Sequence, residues 1–365
     1  MTHISELDTP ALLIDMDILE RNLARVAGYA KEHKLRLRPH TKTHKVPAIG
    51  KMQLASGAVG LTVAKVGEAE VMLGSGSLDL LVNYPVIGRS KLKRLAEVAR
   101  KTRVTVALDS AIASQQLSDA ATEAGVTFGA LVEVDLGLGR VGVPPGKELL
   151  DLAQTVERLP GLTFEGFTFY PGHIKRLAEE AQQQKFQELG RAVQSIVDDL
   201  RKAGMEARVV SGGSTPTLYH SHEIAGLNEI RPGTYVYNDV NTVLSGACTW
   251  EDCAVSILTT VVSTAKKGQM IVDGGSKTFS SDRTSAPKLS FGRVTEAPEA
   301  VFHNLMEEHG FVDISAATRG FSVGDRVRII PNHVCVAVNL HEQVYGIRGD
   351  RLEQTWRVEG RGKLQ

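Results

Sequence analysis

The sequence lacks the features that mark extracellular, membrane or nucleic-acid-binding proteins. Its three cysteines, Cys248, Cys253 and Cys335, are too few and too scattered for a disulfide framework, so each is buried, metal-binding or reactive. No run approaches the roughly 18 apolar residues that span a bilayer, and the N-terminus lacks a basic region followed by an apolar one. The 42 basic and 42 acidic residues cancel, so nothing favours nucleic acid. We therefore expect a cytoplasmic globular protein that binds neither a membrane nor nucleic acid.

Strand and helix patterns alternate along the first two thirds of the chain. The predicted strands lie near residues 35–40, 60–64, 79–84, 104–109, 129–135, 164–170, 207–211 and 228–237. Helical spacing of apolar residues fills the gaps, as at 91–101, 111–124, 147–157 and 174–203. Such repeats form a closed (β/α)8 TIM-type barrel or an open doubly wound sheet, and polar residues at successive strand ends favour the barrel.

The pattern changes past about residue 246. Short strands divided by Gly, Asn and Asp turns are predicted at 254–263, 269–273, 325–330, 333–338 and 343–347. They predict a C-terminal all-β domain, which a strand at 8–15 joins because it precedes the first barrel helix. The predicted domains are therefore 16–245 for the barrel and 1–15 with 246–365 for the β domain.

A cationic cluster follows the first predicted barrel strand. Pro39 limits further strand pairing, and His40, Lys42, His44 and Lys45 crowd the strand end. Neighbouring positive charges favour the neutral, nucleophilic form of a lysine, which makes Lys42 a candidate for a Schiff base with a carbonyl. A solvated basic loop is the alternative for this segment.

Two segments after the seventh and eighth predicted strands suit a phosphate group. Residues 211–217 read Ser-Gly-Gly-Ser-Thr-Pro-Thr, and residues 231–235 read Arg-Pro-Gly-Thr-Tyr. Glycines let backbone N–H groups turn toward an oxyanion, and hydroxyl groups add donors. The corresponding loops of (β/α)8 barrels often bind phosphate.

The pair His333-x-Cys335 falls in one of the predicted β-domain strands. Alternate strand residues point to one side, so an imidazole and a thiolate there could hold one divalent ion. Two protein ligands leave positions for water or substrate, as in catalytic metal sites. A buried thiol beside a turn histidine is the alternative.

Five segments in this order resemble the D-threonine aldolase and D-serine dehydratase family, whose members are fold type III pyridoxal-phosphate enzymes with the alanine-racemase-like fold. They are residues 8–11, 38–45, 211–217, 229–235 and 331–335. The resemblance, which is greatest to D-threonine aldolase, implies a homodimer that holds pyridoxal 5'-phosphate and a divalent metal, manganese or zinc.

The resemblance also implies roles for particular residues. Lys42 would carry the cofactor and, with His173, would serve in acid–base catalysis. Arg140 and Tyr170 would lie near the cofactor ring. The phosphate would bind to Gly212, Gly213, Ser214, Thr215, Gly233, Thr234 and Tyr235. The metal ligands would be His333 and Cys335, and some aldolases in the family have an aspartate where Cys335 stands.

The expected function is retro-aldol cleavage of D-3-hydroxy amino acids, with D-threonine giving glycine and acetaldehyde. The first alternative is a D-serine or 3-hydroxyaspartate dehydratase with the same cofactors. The second is a catalytically silent pyridoxal-phosphate-binding protein, a class that is usually a bare barrel. The predicted β domain and the His-x-Cys pair argue against this second alternative.

Overall fold

The computed structural model describes residues 3–174, 179–284, 286 and 290–365. The chain divides into two compact units. The barrel unit comprises Arg25–Lys42, Pro47–Gly233 and Lys363–Gln365, and the β unit comprises Met1–Ala24, Thr43–Val46 and Thr234–Gly362. The domain bounds predicted above, 16–245 and 1–15 with 246–365, divide the chain by sequence pattern and stay a prediction.

After β1 (Ala11–Asp15), which belongs to the β unit, eight parallel strands form the sheet of the barrel unit. They are β2 (Arg36–Leu37), β3 (Leu61–Val63), β4 (Asp79–Val82), β5 (Arg103–Leu108), β6 (Phe128–Glu133), β7 (Leu162–Thr168), β8 (Val209–Gly212) and β9 (Glu229–Ile230). Their order is β2-β9-β8-β7-β6-β5-β4-β3. A bridge between His40 and Thr62, with Thr41 N donating to Thr62 O at 2.8 Å, joins the two ends. The predicted (β/α)8 barrel is confirmed.

Helices connect the barrel strands, and local capping sets some of their bounds. They are α1 (Met16–Glu32), α2 (Pro47–Ala55), α3 (Val66–Met72), α4 (Arg89–Ala99), α5 (Ala111–Ala124), α6 (Lys147–Arg158) and α7 (Glu179–Lys202). Helix α5 has the bounds that were predicted, because Ser110 Oγ accepts from Ala113 N at its start and Gly125 (φ +64°) ends it. Residues 175–178 of the helix predicted at 174–203 lie outside the described part of the chain.

The barrel interior combines an apolar layer with buried charges. Leu81, Leu131 and Val209 pack together from alternate strands, as in other closed barrels. Buried Arg38 binds Glu229 Oε2 at 2.9 Å and lies 2.8 Å from Asp79 Oδ1. These two carboxylates raise the pKa of Arg38 against the opposing effect of its burial. The guanidinium therefore stays charged inside the barrel.

The β unit is a mixed sheet with short helices. Its remaining strands are β10 (Val255–Ser263), β11 (Gln269–Val272), β12 (Gly292–Val294), β13 (Val301–Leu305), β14 (Gly310–Asp313), β15 (Arg326–Pro331), β16 (Gln343–Arg348) and β17 (Arg351–Arg357), and its helices are α8 (Val240–Leu244), α9 (Ser276–Phe279) and α10 (Val334–Leu340). Strand β1 pairs with β10 antiparallel and with β16 parallel, so the N-terminal strand joins this sheet. None of the helices in the described residues has the length and apolar character needed to cross a membrane.

The strand predicted at 333–338 was wrong, because this segment begins α10. Val334, Val336 and Val338 alternate with small residues, a pattern typical of strands. Local bonding overrides it: Ala337 N donates to His333 O at 3.2 Å. The Asp239 carboxylate also accepts from Val334 N at 3.0 Å, which satisfies a donor at the helix start.

Candidate active site

The carboxyl ends of the barrel strands gather candidate side chains at one mouth, because parallel strands end on the same side. Lys42 follows β2, Asp135 follows β6, and Tyr170 follows β7. Strand β8 ends at Gly212, where the predicted phosphate segment turns away. The barrel unit therefore collects Lys42, Tyr170 and the glycine-rich segment after β8 at one end.

The backbone around Lys42 is fixed while its side chain is exposed. Thr41 is buried, and its hydroxyl donates to Thr62 O at 3.1 Å. His40 Nδ1 accepts from Lys42 N at 3.4 Å. Lys45, in contrast, is buried in the β unit and donates to Asn339 Oδ1 at 2.8 Å. Of these two lysines, Lys42 is the one whose amine is accessible to a carbonyl compound.

The turn after β8 depends on two glycines. A Cβ placed on Gly212 would lie 2.7 Å from the Phe169 ring, so a larger residue does not fit there. Gly213 has φ +85°, a conformation that favours glycine. Without side chains at these two positions the backbone N–H groups can approach an anion closely, so the turn is compatible with a phosphate group.

Hydroxyl groups brace the phosphate segment beyond these glycines. Ser214 precedes a 3-10 helix (Thr215–Glu223), and its Oγ lies 3.0 Å from Thr217 Oγ1. Thr215 Oγ1 accepts from Gly233 N at 3.2 Å, which ties the loops after β8 and β9 together. Thr234 and Tyr235 lie in a 3-10 turn of the β unit. The strand predicted at 228–237 is therefore much shorter than expected.

Arg140 and Tyr170 form a pair at the barrel mouth. The Arg140 guanidinium carbon lies 4.9 Å from the centre of the Tyr170 ring, a cation–π contact. Arg140 belongs to the loop after β6 and Tyr170 follows β7, so neighbouring strands bring them together. That both residues approach one cofactor ring stays a prediction.

His173 lies against a tight turn and has no hydrogen-bond partner among the described residues. Both ring nitrogens are buried without a bond. The turn is built by Asp135, whose carboxylate accepts from Gly137 N at 3.0 Å and Leu138 N at 2.9 Å, so Asp135 caps the turn. Burial and the charge of Lys185 lower the pKa of His173. The imidazole is therefore neutral at neutral pH and able to accept a proton.

Two buried charged residues in the barrel were missed as site residues. Arg231 donates to Phe169 O at 3.1 Å and to the Ser211 hydroxyl, which in turn donates to Glu229 at 2.8 Å. Burial raises the pKa of Glu133 from 4.5 to about 7, although Arg231 opposes this. The sequence feature that could have identified Glu133 is an acidic residue at the end of the apolar strand β6.

Replacing Glu133 with glutamine is expected to stabilise the protein above pH 7. The folded state holds the Glu133 proton up to about pH 7, whereas the unfolded state loses it near 4.5. The free energy of unfolding of the wild type therefore falls by up to about 3 kcal/mol between about pH 4.5 and pH 7, and it does not fall further above pH 7. Urea unfolding of the cofactor-free protein at pH 5 and pH 8 measures this. The control is Glu123→Gln, at an exposed position. If the unfolding free energy of Glu133→Gln falls between pH 5 and pH 8 as much as that of the wild type, the raised pKa of Glu133 is contradicted.

The predicted metal pair lies at the start of α10 instead of on a strand. His333 caps the helix and Cys335 lies in its first turn, and their side chains are hydrogen-bonded. This bond and the Asp282 carboxylate, 2.7 Å from His333 Nδ1, raise the pKa of His333 to about 9. Thr43 Oγ1 lies 3.2 Å from Cys335 Sγ. The sequence analysis assigned no role to Asp282 or Thr43. Thr43 lies in residues 38–45, one of the five segments that resemble the family, whereas Asp282 lies in none of them.

The chemistry of these donors fits a divalent ion. An imidazole nitrogen and a thiolate sulfur form a set that suits zinc. The Asp282 contact with Nδ1 matches the carboxylate that orients metal-bound histidines, and it leaves Nε2 as the available nitrogen. In the described part of the chain no cluster of three or more His, Cys, Asp or Glu could hold a metal. The protein would thus supply two ligands and leave positions for water or substrate.

The chain is similar to known proteins along almost its whole length. Residues 14–240 match the family described as alanine racemase, N-terminal domain, and residues 254–347 match a putative serine dehydratase domain. A D-threonine aldolase of Arthrobacter sp. is 31% identical over 98% of this chain and 94% of the relative. A D-threo-3-hydroxyaspartate dehydratase of Delftia sp. (strain HT23) is 33% identical over 96% of this chain and 97% of that protein. The crystal structure of D-threonine aldolase from Filomicrobium marinum superposes with a TM-score of 0.92 at 31% identity, covering 99% of this chain and 98% of that one.

A parallel barrel with a glycine-rich loop after β8, together with a mixed-sheet unit, defines the alanine-racemase-like class of proteins. Enzymes of the fold type III class use pyridoxal phosphate. The chain belongs to the D-threonine aldolase and D-serine dehydratase family. Its relatives include both aldolases and dehydratases at similar identity, so the family by itself does not choose the reaction.

Proposed function

We propose that this protein is a lyase, dependent on pyridoxal phosphate and a divalent metal, that cleaves D-3-hydroxy amino acids between Cα and Cβ. D-threonine would give glycine and acetaldehyde. The observation that carries this proposal is the neutral, half-buried His173, whose two buried ring nitrogens have no partner among the described residues. Cleavage needs a base for the 3-hydroxyl proton, whereas dehydration needs an acid for the leaving hydroxyl, and a neutral imidazole is a base.

The residues that would hold the cofactor are those at the barrel mouth and in the 3-10 turn after β9. Lys42 would bind it covalently through its amine, and Arg140 and Tyr170 would contact its ring. The phosphate group would be held by Gly212, Gly213, Ser214, Thr215, Gly233, Thr234 and Tyr235. When bound, the cofactor supplies an electron sink for the negative charge that develops at Cα.

The side chains of the barrel unit would move the protons. His173 would accept the proton of the substrate 3-hydroxyl as the Cα–Cβ bond breaks and the aldehyde forms. The amine of Lys42, once displaced by the substrate amine, would deliver a proton to Cα. His173 would then pass its proton to solvent and Lys42 would take up a proton from solvent, so that glycine and aldehyde leave with the protein unchanged.

His333 and Cys335 would hold the metal. A divalent ion there supplies Lewis-acid polarisation of a substrate hydroxyl. The thiolate favours zinc, and manganese is the alternative. The homodimer and the cytoplasmic location expected from the sequence stay predictions.

A dehydratase acting on D-serine or 3-hydroxyaspartate is the second candidate, because the Delftia relative is as similar to this chain as the aldolases are. Product analysis decides between the two reactions. The purified protein, with pyridoxal phosphate and zinc or manganese, is incubated separately with D-threonine and D-serine. Glycine and acetaldehyde from D-threonine support the aldolase. A 2-oxo acid with ammonia moves the assignment to dehydration, and no product from either substrate contradicts both.

Replacing His173 with glutamine is expected to lower kcat for D-threonine by about 10²- to 10³-fold, the usual size of general-base catalysis. The variant should also lose the acid limb of the kcat–pH profile, which in the wild type lies below the ordinary histidine range because the pKa of His173 is lowered. The exposed His220→Gln is the control. An unchanged acid limb in His173→Gln would remove His173 from this role.

A further inference from the structure

A second cation–tyrosine pair lies at the barrel mouth, apart from Arg140 and Tyr170. Lys65 Nζ lies 3.6 Å from the centre of the Tyr84 ring. Lys65 follows β3 by two residues and Tyr84 follows β4 by two, so both stand at the carboxyl ends of neighbouring strands. Lys42 stands at the same end of the barrel. It follows β2, which lies on the side of β3 opposite to β4. The pair therefore belongs to the surface that faces an incoming substrate.

The ammonium group of Lys65 is positioned but not neutralised. In the part of the chain that the structure describes, no carboxylate forms an ion pair with it. Other lysines differ, since Lys202 and Lys277 lie 3.0 Å and 2.8 Å from carboxylate oxygens. A tyrosine face attracts a cation without cancelling its charge, and Tyr84 is 46% exposed. An anionic ligand can therefore replace the ring as the partner of Lys65.

We propose that Lys65, seated on Tyr84, binds a carboxylate on the substrate side chain and so favours D-3-hydroxy amino acids with an anionic side chain. This rests on the proposed function, which already assigns Lys42 and Arg140 to the cofactor and leaves Lys65 as a cation at the mouth without a role. A compact, strongly charged ammonium suits a single carboxylate oxygen. Lys65 is thus a specificity-determining residue for the side chain of the substrate.

Binding of two amino acids that lack a 3-hydroxyl tests this without turnover. D-aspartate and D-asparagine have nearly the same shape and differ in side-chain charge. Titration calorimetry on the cofactor-loaded protein should give tighter binding of D-aspartate by about 10-fold, the size of a charge-assisted hydrogen bond. Lys65→Met should reduce this preference to about 2-fold, and Lys65→Arg should retain most of it. Lys51→Met, on the exposed face of α2, is the matched control.

Several results would overturn the proposal. Equal weakening of D-aspartate and D-asparagine binding in Lys65→Met would mean that Lys65 binds the α-carboxylate common to both. No preference in the wild type, or an unchanged preference in Lys65→Met, would mean that Lys65 binds no side chain. The binding of D-aspartate and D-asparagine is measured without turnover, so it tests Lys65 independently of the proposed function. Absence of cleavage would contradict the proposed function alone.

Discussion

Replacing Lys42 with alanine is expected to lower turnover of D-threonine by about 10⁴-fold or more, the size typical of losing a covalent catalyst. The change removes both the amine that binds the cofactor and the proton donor at Cα. Lys45 cannot substitute for it, because that ammonium is buried and bonded to Asn339. The barrel should still fold, since the Lys42 side chain is exposed and the loop is held by Thr41.

Two measurements separate loss of chemistry from loss of structure in this variant. Gel filtration after loading with pyridoxal phosphate should leave Lys42→Ala without visible cofactor absorbance. Borohydride reduction of the wild type, followed by peptide mass analysis, should find the cofactor on Lys42. Lys51→Ala should match the wild type in both tests. A labelled lysine elsewhere, or undiminished turnover in Lys42→Ala, would exclude the proposed role.

Replacing His333 or Cys335 with alanine is expected to lower turnover by about 10²- to 10³-fold. Each change removes one of the two protein donors proposed for the divalent ion. Because cofactor binding is assigned to other residues, the visible absorbance should persist in both variants. A chelator should produce a similar loss in the wild type, and added zinc or manganese should restore activity.

The matched control for this prediction is Cys248→Ala, which removes a half-buried thiol elsewhere in the β unit. Retained activity there would show that loss of a thiol alone has no effect. If His333→Ala and Cys335→Ala both turn over substrate like the wild type, the metal role is excluded. If the wild type also has no lyase activity, the silent pyridoxal-phosphate-binding protein becomes the better hypothesis.

The parts of the candidate site that the sequence analysis identified are those that depend on local sequence. Lys42 was singled out because it stands in a cationic segment after an apolar strand pattern, and the structure leaves its side chain exposed. Gly212 and Gly213 were singled out because glycines let backbone N–H groups turn toward an oxyanion, and the structure adds that the turn requires glycine at both positions. Glu133 and Arg231 were not assigned, because their importance depends on burial among side chains that come from different strands.

The sequence alone determined the number and kind of elements in the barrel, because apolar periodicity and caps such as Ser110 and Gly125 act over a few residues. It also determined which residue types are available for chemistry. Only the tertiary structure decided that residues 334–340 are helical, since the Asp239 carboxylate at their N-terminus comes from a distant part of the chain. It likewise decided that the sheet closes through His40 and Thr62, and that the ring nitrogens of His173 are buried and the imidazole is neutral. These outcomes depend on long-range contacts and on the loss of water around a group, and neither is present in a short stretch of sequence.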